Sequence, residues 1–325
     1  MSTENQRSRL AGAIKRTNWF RIENLGLYFV TLIIFVLLSF ASPYFLTSIN
    51  LFDVLRQSTF VLIIALGSTF VIMTGGIDLS VGAILGLSAG VTSVILLQTG
   101  GSTVLGVTGG LLAGMLCGLV NGLLITRLRV TDFISTLATL SVFRGILYMM
   151  TDGVPFAKFS NPTFSFLGRG MVGPVPFPVI ITVFLFLLLS YLLNQMPFGR
   201  HVLATGSNRE AARLSGVQTD RIKLGVYVIS GACCAIAGIL LGSRLSSVPP
   251  DLGQGYELSA IAAVVIGGTA LSGGRGSVSG TVLGAIMIAM ISNGLILLNV
   301  DPFYQFVVNG VLIVVAVAIN RSRQS

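Results

Sequence analysis

Apolar runs about as long as a membrane-crossing helix alternate along this chain with short breaks rich in glycine or charge. A helix needs about 20 apolar residues, at 1.5 Å of rise each, to cross the hydrocarbon of a bilayer. On that measure the sequence predicts spans near 25–41, 58–74, 81–98, 103–126, 133–150, 178–195, 223–243, 258–271, 277–298 and 303–319. The expected fold class is therefore all-α, a polytopic membrane protein with about ten transmembrane helices. Three parts follow: a basic leader at 1–24, a membrane-embedded body at 25–320 and a short tail at 321–325.

One break differs from the others. Between 196 and 223 the chain is polar and carries Arg200, Arg209, Arg213, Arg221 and Lys223. At its centre Glu210, Ala211 and Ala212 favour helix, Asn208 can cap it, and Gly216 supplies a stop. The pattern predicts a short helix over 209–216, displayed outside the bilayer where another protein can push on it.

Two other breaks are glycine-rich. The stretch Gly75, Gly76, Ile77, Asp78, Leu79, Ser80, Val81, Gly82 is either a tight inner turn or a broken helix within the bilayer. Irregular backbone at membrane depth is tolerated only where protein or a water-filled cavity surrounds it, so the second alternative places this stretch on a permeation path. A similar stretch begins at Ser272. Gly75, Gly76, Gly82, Leu85 and Gly86 align with Gly273, Gly274, Gly280, Leu283 and Gly284, which raises the question of an internal repeat. The fourth predicted span carries Gly106, Gly110, Gly114, Gly118 and Gly122, a smooth ridge against which another backbone can pack closely. That ridge predicts a place for this helix in the centre of the bundle, with an outward role in dimerisation as the alternative.

Charge sets the orientation. With the amino terminus inside, the inner segments hold Arg7, Arg9, Lys15, Arg16 and Arg21 of the leader, Arg127 and Arg129, the five cations of the polar island, Arg275, Arg321 and Arg323. The outer segments hold only Arg56, Lys158, Arg169 and Arg244, and Arg144 falls inside the fifth span. This bias predicts both termini and the polar island on the cytoplasmic side. The leader is long and the chain after it keeps crossing, so it reads as the flank of an uncleaved first span and not as a signal peptide.

Composition agrees: 53% of residues are hydrophobic and 10% charged, which excludes an ordinary water-soluble domain. The net charge of +9 follows from membrane sidedness, since no basic cluster is interleaved with stacking aromatics as a nucleic-acid surface would require. Cys117, Cys233 and Cys234 lie in apolar runs and read as packing residues. No Gly-Lys dipeptide occurs, so the chain has no phosphate-binding loop and any nucleotide engine is expected on another polypeptide. The single histidine, His201, has no triad or metal constellation around it in sequence, and neither an enzyme nor a metal site is expected. Within or beside the apolar spans, Asp78 and Arg144 carry charge, and Asn121 and Asn293 each precede Gly-Leu. These four either line a polar pathway with Gly75, Gly76, Ser80 and Gly82 or serve as a cap, a snorkelling cation and helix-bridging amides.

Gly-Ile-Asp-Leu-Ser-Val-Gly at 76–82, the segment from Gly206 to Val217, and Gly-Tyr-Glu-Leu-Ser-Ala-Ile at 255–261 followed by Ser-Gly-Gly-Arg-Gly at 272–276 together resemble the ribose-type branch of ABC sugar importer permeases. The resemblance runs from about 25 to 320. It implies a bacterial inner-membrane subunit, paired with a second permease as a homodimer, that binds cytoplasmic ABC ATPases. ATP and Mg²⁺ would be held on those ATPases and no cofactor on this chain. A periplasmic or lipid-anchored binding protein would deliver a monosaccharide, ribose being the leading expectation. By the same resemblance Asn208, Arg209, Glu210, Ala211, Ala212, Arg213 and Gly216 form the ATPase-coupling motif, although the Leu-Pro ending of many importer permeases is missing. Arg56, Lys158, Arg169 and Arg244, the outer cations, are the expected docking residues for the binding protein. The same machinery carrying another polyol, a nucleoside or an autoinducer-type furanose is the nearest alternative. An ion-driven secondary transporter is the alternative of a different class, and it would require more embedded charge than the sequence offers.

Overall fold

The computed structural model of the chain describes residues 25–156 and 161–301, together with 304, 307, 308, 310, 311 and 314. The leader, Lys158, the tail and most of the tenth predicted span lie outside the described residues. Among the described residues the elements are α1 (Leu25–Ala41), α2 (Ser48–Met73), α3 (Val81–Gln98), α4 (Thr103–Thr126), α5 (Asp132–Thr151), α6 (Pro162–Arg169), β1 (Met171–Val172), β2 (Val175–Pro176), α7 (Phe177–Asn194), α8 (Pro197–Ser207), α9 (Arg209–Leu214), α10 (Thr219–Leu245), α11 (Tyr256–Ile266) and α12 (Val278–Leu297). The two strands form a minimal antiparallel hairpin, with Met171 opposite Pro176 and Val172 opposite Val175. The fold is otherwise all-helical.

Seven helices, α2, α3, α4, α5, α7, α10 and α12, are long and apolar enough to cross a membrane. Their bounds follow the apolar runs closely for α3, α4, α5, α7 and α12. Helix α2 differs: it begins at Ser48, well before the predicted 58, because Asn50, Asp53, Arg56 and Gln57 dilute the hydropathy of its first turns without breaking the helix. Thr47 caps that start, accepting from the Asn50 amide.

The predicted span at 258–271 is replaced by α11, a helix of 11 residues, about 16 Å long at the standard rise. Gly255 and Gly268, both left-handed, stand before its start and after its end, and the apolar run on its far side is spent in a turn. The chain reaches α11 through the irregular stretch 246–255, which is folded back against the bundle. Gly253 lies against the Gly82 carbonyl and the Leu85 side chain, and Leu85 in turn lies against Gly238 of α10. Helix α11 therefore starts beside the first turns of α3, part-way along α10. Helix α1, with 17 residues, is the other short apolar helix.

Most residues of α2, α3 and α10 are buried, whereas only about a third or fewer of those in α4, α5 and α7 are. Helix α10 packs along α4, α2 and α3, while α12 and α11 close the opposite side of α2. The glycine ridge of α4 accounts for the first of these contacts. A Cβ at Gly110 would strike Thr92 of α3, one at Gly114 would strike Ala235 and the Gly231 carbonyl, and one at Gly118 would strike the Tyr227 carbonyl. Two backbones thus approach to a distance no side chain permits, which gains dispersion contact where lipid offers no hydrophobic drive. The expectation that α4 sits in the centre is corrected: its ridge is buried, but Leu105, Leu112, Leu116, Val120 and Leu123 on its other face are exposed. One smooth side needs only one partner layer.

Candidate functional site

The polar island folds as two helices. Helix α8 is anchored by Phe198, whose ring stacks on Phe70 at 6.5 Å between centroids, and by Gly199, which lies on the Leu193 carbonyl. Its last turn reaches the junction of the two glycine-rich stretches. The Gly274 amide donates to the Met73 carbonyl at 2.9 Å, Gly273 packs on the Gly75 backbone, and Gly206 is wedged between Met73 and Gly274 with no room for a Cβ. Gly75, Gly273 and Gly274 all have positive φ, at 74°, 84° and 76°, and the chain turns sharply at both stretches without a steric penalty.

After α8 the chain turns at Asn208 into α9. The Asn208 Oδ1 accepts from the Ala211 amide at 2.9 Å and serves as the cap expected from sequence. Helix α9 is shorter than predicted, ending at Leu214. The Ser215, Gly216 and Val217 amides close it on the carbonyls of Ala211, Arg213 and Ala212, with Gly216 at φ 86°. Ala212 is buried, whereas Arg209, Glu210, Ala211, Arg213 and Gly216 are exposed. Glu210 and Arg213 pair along the helix at 2.9 Å. At the tip Leu214 is 80% exposed, an apolar knob that polarity alone did not point to. Lys223 does not belong to this surface. Helix α10 begins at Thr219, and Lys223 is buried in it.

Behind the junction a chain of polar side chains clasps the stretch 76–80. Asp78 is buried and accepts from the Ser80 amide at 2.9 Å, the Ser80 hydroxyl at 2.6 Å and the Ser230 hydroxyl at 3.3 Å. Asn121 donates to the Ser80 hydroxyl at 2.8 Å and accepts from Thr139 at 2.6 Å. Thr136 donates to the Ile77 carbonyl at 3.2 Å. Asp132 accepts from Tyr227 at 2.8 Å and pairs with Lys223 at 2.8 Å, and a Cβ at Gly76 would collide with its carboxylate. The stretch is thus held from α4, α5 and α10 together, and each of these polar groups has a partner, as burial requires. Of the two readings left open by the sequence, the turn applies to Thr74–Gly76. The remainder, through Asp78 to Ser80, is non-helical backbone enclosed by protein.

Gly82 is part of a second contact. Arg144 of α5 donates to the carbonyls of Leu252 at 2.7 Å and Pro250 at 3.3 Å, holding the irregular stretch 246–255 against α3, where Gly82 meets Gly253 and Glu257. Arg144 is half-buried and tied to backbone, not extended outward. Asn293 is brought to neither group. It exchanges hydrogen bonds with Asn50 at 2.8 and 3.1 Å, bridging α12 to the start of α2.

At the opposite end Arg56 lies 3.3 Å from the Met171 sulfur and 3.6 Å from Asp53, Arg169 donates to the Arg244 carbonyl, and the Arg244 guanidinium lies 5.6 Å from the centre of the Phe60 ring. The three described outer cations therefore share one end of the bundle. Among the described residues no three His, Cys, Asp or Glu side chains gather as a metal would need.

Sequence reasoning missed Asp132, Tyr227, Ser230, Thr136 and Thr139. Asp132 alone carried a signal, as the first helical residue after an arginine-bearing turn. The hydroxyls are divided between two helices, α5 and α10, and no spacing in sequence joins them.

Residues 50–317 match the family model described as branched-chain amino acid transport system / permease component. The chain is 43% identical to the ribose import permease protein RbsC of Bacillus subtilis over 100% of this chain and 98% of that one. It is 40% identical to the ribose import permease protein RbsC of Escherichia coli over 90% and 92% of the two chains. Against the D-allose transport system permease protein AlsC of Escherichia coli the identity is 38%, over 92% of each. No solved structure matches the chain.

Proposed function

The chain belongs to this family of transport-system permease components, and from that premise we propose that it is the membrane-spanning subunit of an ATP-driven importer for a monosaccharide, ribose first. The relatives named above are permeases for ribose and D-allose, and nearly their whole length is shared. ATP and Mg²⁺ belong on a separate cytoplasmic ABC ATPase, and the solute arrives on an extracytoplasmic binding protein. Two copies of the chain form the path in the bacterial cytoplasmic membrane. In this reading α1 and the region 303–319 complete the crossings, and both termini face the cytoplasm.

One observation carries the coupling assignment: the exposed tip of α9 is carried by α8, and α8 is seated through Gly206 on the place where Met73 and Gly274 meet. A push on Leu214, Glu210 or Arg213 is delivered through α8 to the end of α2 and to the glycine-rich connection between α11 and α12 at once. Nucleotide-driven closure of the ATPase then stabilises one of two bundle arrangements relative to the other. The stretch 76–80, enclosed by hydroxyls and an amide, is where a neutral polyol would find hydrogen-bonding groups.

Glu210→Lys reverses the charge at the tip and breaks its pair with Arg213. Co-purification of the ATPase and uptake of labelled ribose should both fall, at unchanged amounts of permease in the membrane. Normal association and uptake in that variant would dismiss α9 as the coupling element.

A further inference from the structure

The first two turns of α10 carry opposite charges three residues apart, Asp220 and Lys223, and so does the connector between α4 and α5, with Arg129 and Asp132. The two pairs meet in register. Arg129 Nη2 lies 3.1 Å from Asp220 Oδ2, and Lys223 Nζ lies 2.8 Å from Asp132 Oδ1. A third cation joins from α9, with Arg209 Nη2 at 2.6 Å from Asp220 Oδ1. Asp220 thus holds two arginines from two different segments, one of them the displayed tip.

The two halves of this arrangement differ in exposure, and the difference assigns them different work. The Lys223 and Asp132 side chains are 8% and 16% exposed. A buried ammonium is retained only with its counter-charge, so this half fixes the start of α5 to α10. The Asp132 carboxylate also takes the Tyr227 hydroxyl and lies against Gly76, the first residue of the enclosed stretch. The Asp220 side chain, by contrast, is 43% exposed, and its partners Arg209 and Arg129 are 43% and 65% exposed. Exposed pairs are weak and exchange readily, which suits a contact that must remake itself during a cycle. Arg129 keeps a left-handed backbone, φ 58°, although it is not glycine. The connector is therefore held in a sparsely populated conformation while it makes its ion pair.

We propose that Asp220, Arg129, Lys223 and Asp132 form a reciprocal charge clasp that carries the movement of α9 to the stretch 76–80, Asp220 being the positioning residue that receives it. This rests on the reading of α9 as the coupling element. Movement of Arg209 with the tip pulls on Asp220. Helix α10 and the α4–α5 connector then shift as one body, since Lys223 and Asp132 lock them together, and the carboxylate that abuts Gly76 shifts with them. The route is short: one helix tip, one shared carboxylate, one buried pair and one glycine. None of its members needs to touch the solute or the nucleotide.

Asp220→Asn tests the clasp, because it removes charge at an exposed position and leaves size unchanged. The permease, its ATPase and the loaded binding protein are reconstituted in liposomes with labelled ribose as probe. Asp220→Asn should keep the ATPase bound, while ATP hydrolysis stimulated by loaded binding protein and ribose uptake both fall at least about fivefold, roughly 1 kcal/mol of coupling. Asp220→Glu should recover most of both. Arg129→Gln should give the same phenotype, and combining it with Asp220→Asn should add little further loss. For the buried half, Lys223→Asp and Asp132→Lys should each fail, with the exchanged pair restoring uptake at least in part. Full stimulation and uptake in Asp220→Asn would overturn the clasp. Loss of ATPase binding in that variant would also overturn it, since Asp220 would then belong to the docking surface. The Glu210→Lys variant, scored by ATPase association in the same preparation, reports separately on the coupling role of α9.

Discussion

Asn121 and Asn293 occupy the same local sequence, Asn-Gly-Leu inside an apolar helix, and the fold uses them in opposite ways. Asn121 sits between Ser80 and Thr139 and is one link in a chain that runs on to Asp78 and Ser230. Asn293 has a single amide partner, Asn50, which exchanges two hydrogen bonds with it and also donates to the nearby Phe45 carbonyl. A side chain whose partners lie on two other segments constrains how all three move. One whose partner lies on a single neighbouring helix only joins two helices. What passes opposite each asparagine makes the difference, and the tripeptide does not report it.

The sharpest way to break this comparison is to remove each amide. Asn121→Leu removes the donor to the Ser80 hydroxyl and the side-chain acceptor of Thr139 beside a buried carboxylate, and labelled ribose uptake should fall by an order of magnitude or more. Asn293→Leu strands Asn50, with an expected loss of about 1–3 kcal/mol of stability, read as a lower unfolding midpoint in detergent, while uptake per folded molecule stays near normal. The double variant Asn50→Leu with Asn293→Leu should recover part of that midpoint, because the two amides go together and only the Phe45 carbonyl loses a donor. Equal losses of uptake in Asn121→Leu and Asn293→Leu would erase the distinction.

A second contrast has a smaller expected effect and concerns glycine. Gly118 of α4 has the Tyr227 carbonyl where its Cβ would be, whereas Gly145 of α5 has nothing within 4 Å. Gly118→Ala should cost about 1–3 kcal/mol by forcing α4 away from α10, and Gly145→Ala should be neutral or stabilising by up to about 1 kcal/mol through helix preference. Unfolding midpoints of the two variants check this, and a matching loss at both positions would deny the close crossing its role.

The smallest effect is expected at the outer rim. Neutralising Arg56, Lys158, Arg169 and Arg244 together should slow encounter with the binding protein several-fold at low salt and little at high salt. Association rates across ionic strength measure it. A rate insensitive to salt in both proteins would assign docking to uncharged contacts.

How much of this was legible in the sequence varied by region. The apolar runs located α3, α4, α5, α7 and α12 nearly to their ends because crossing helices must be apolar over most of their length. They misjudged α2, whose polar first turns belong to the same helix, and they lengthened α11, whose bounds are set by glycine conformation and not by hydropathy. The tip at 208–216 was readable because a cap residue, helix formers and a left-handed glycine follow one another there. Its extension into α8, and the exposure of Leu214, were not.

The sequence by itself determined that this chain is a bundle of apolar helices with a charged segment set apart. Those features are properties of single segments meeting their solvent. Only the tertiary structure decided that Lys223 leaves the charged segment to pair with Asp132, that Asp78 is shared among Ser80 and Ser230, and that Asn121 and Asn293 part company. Each of these, the local Asp78–Ser80 bonds aside, is a pairing between residues distant in the chain. A buried polar group must find a partner, yet nothing in its own neighbourhood says which helix will supply one.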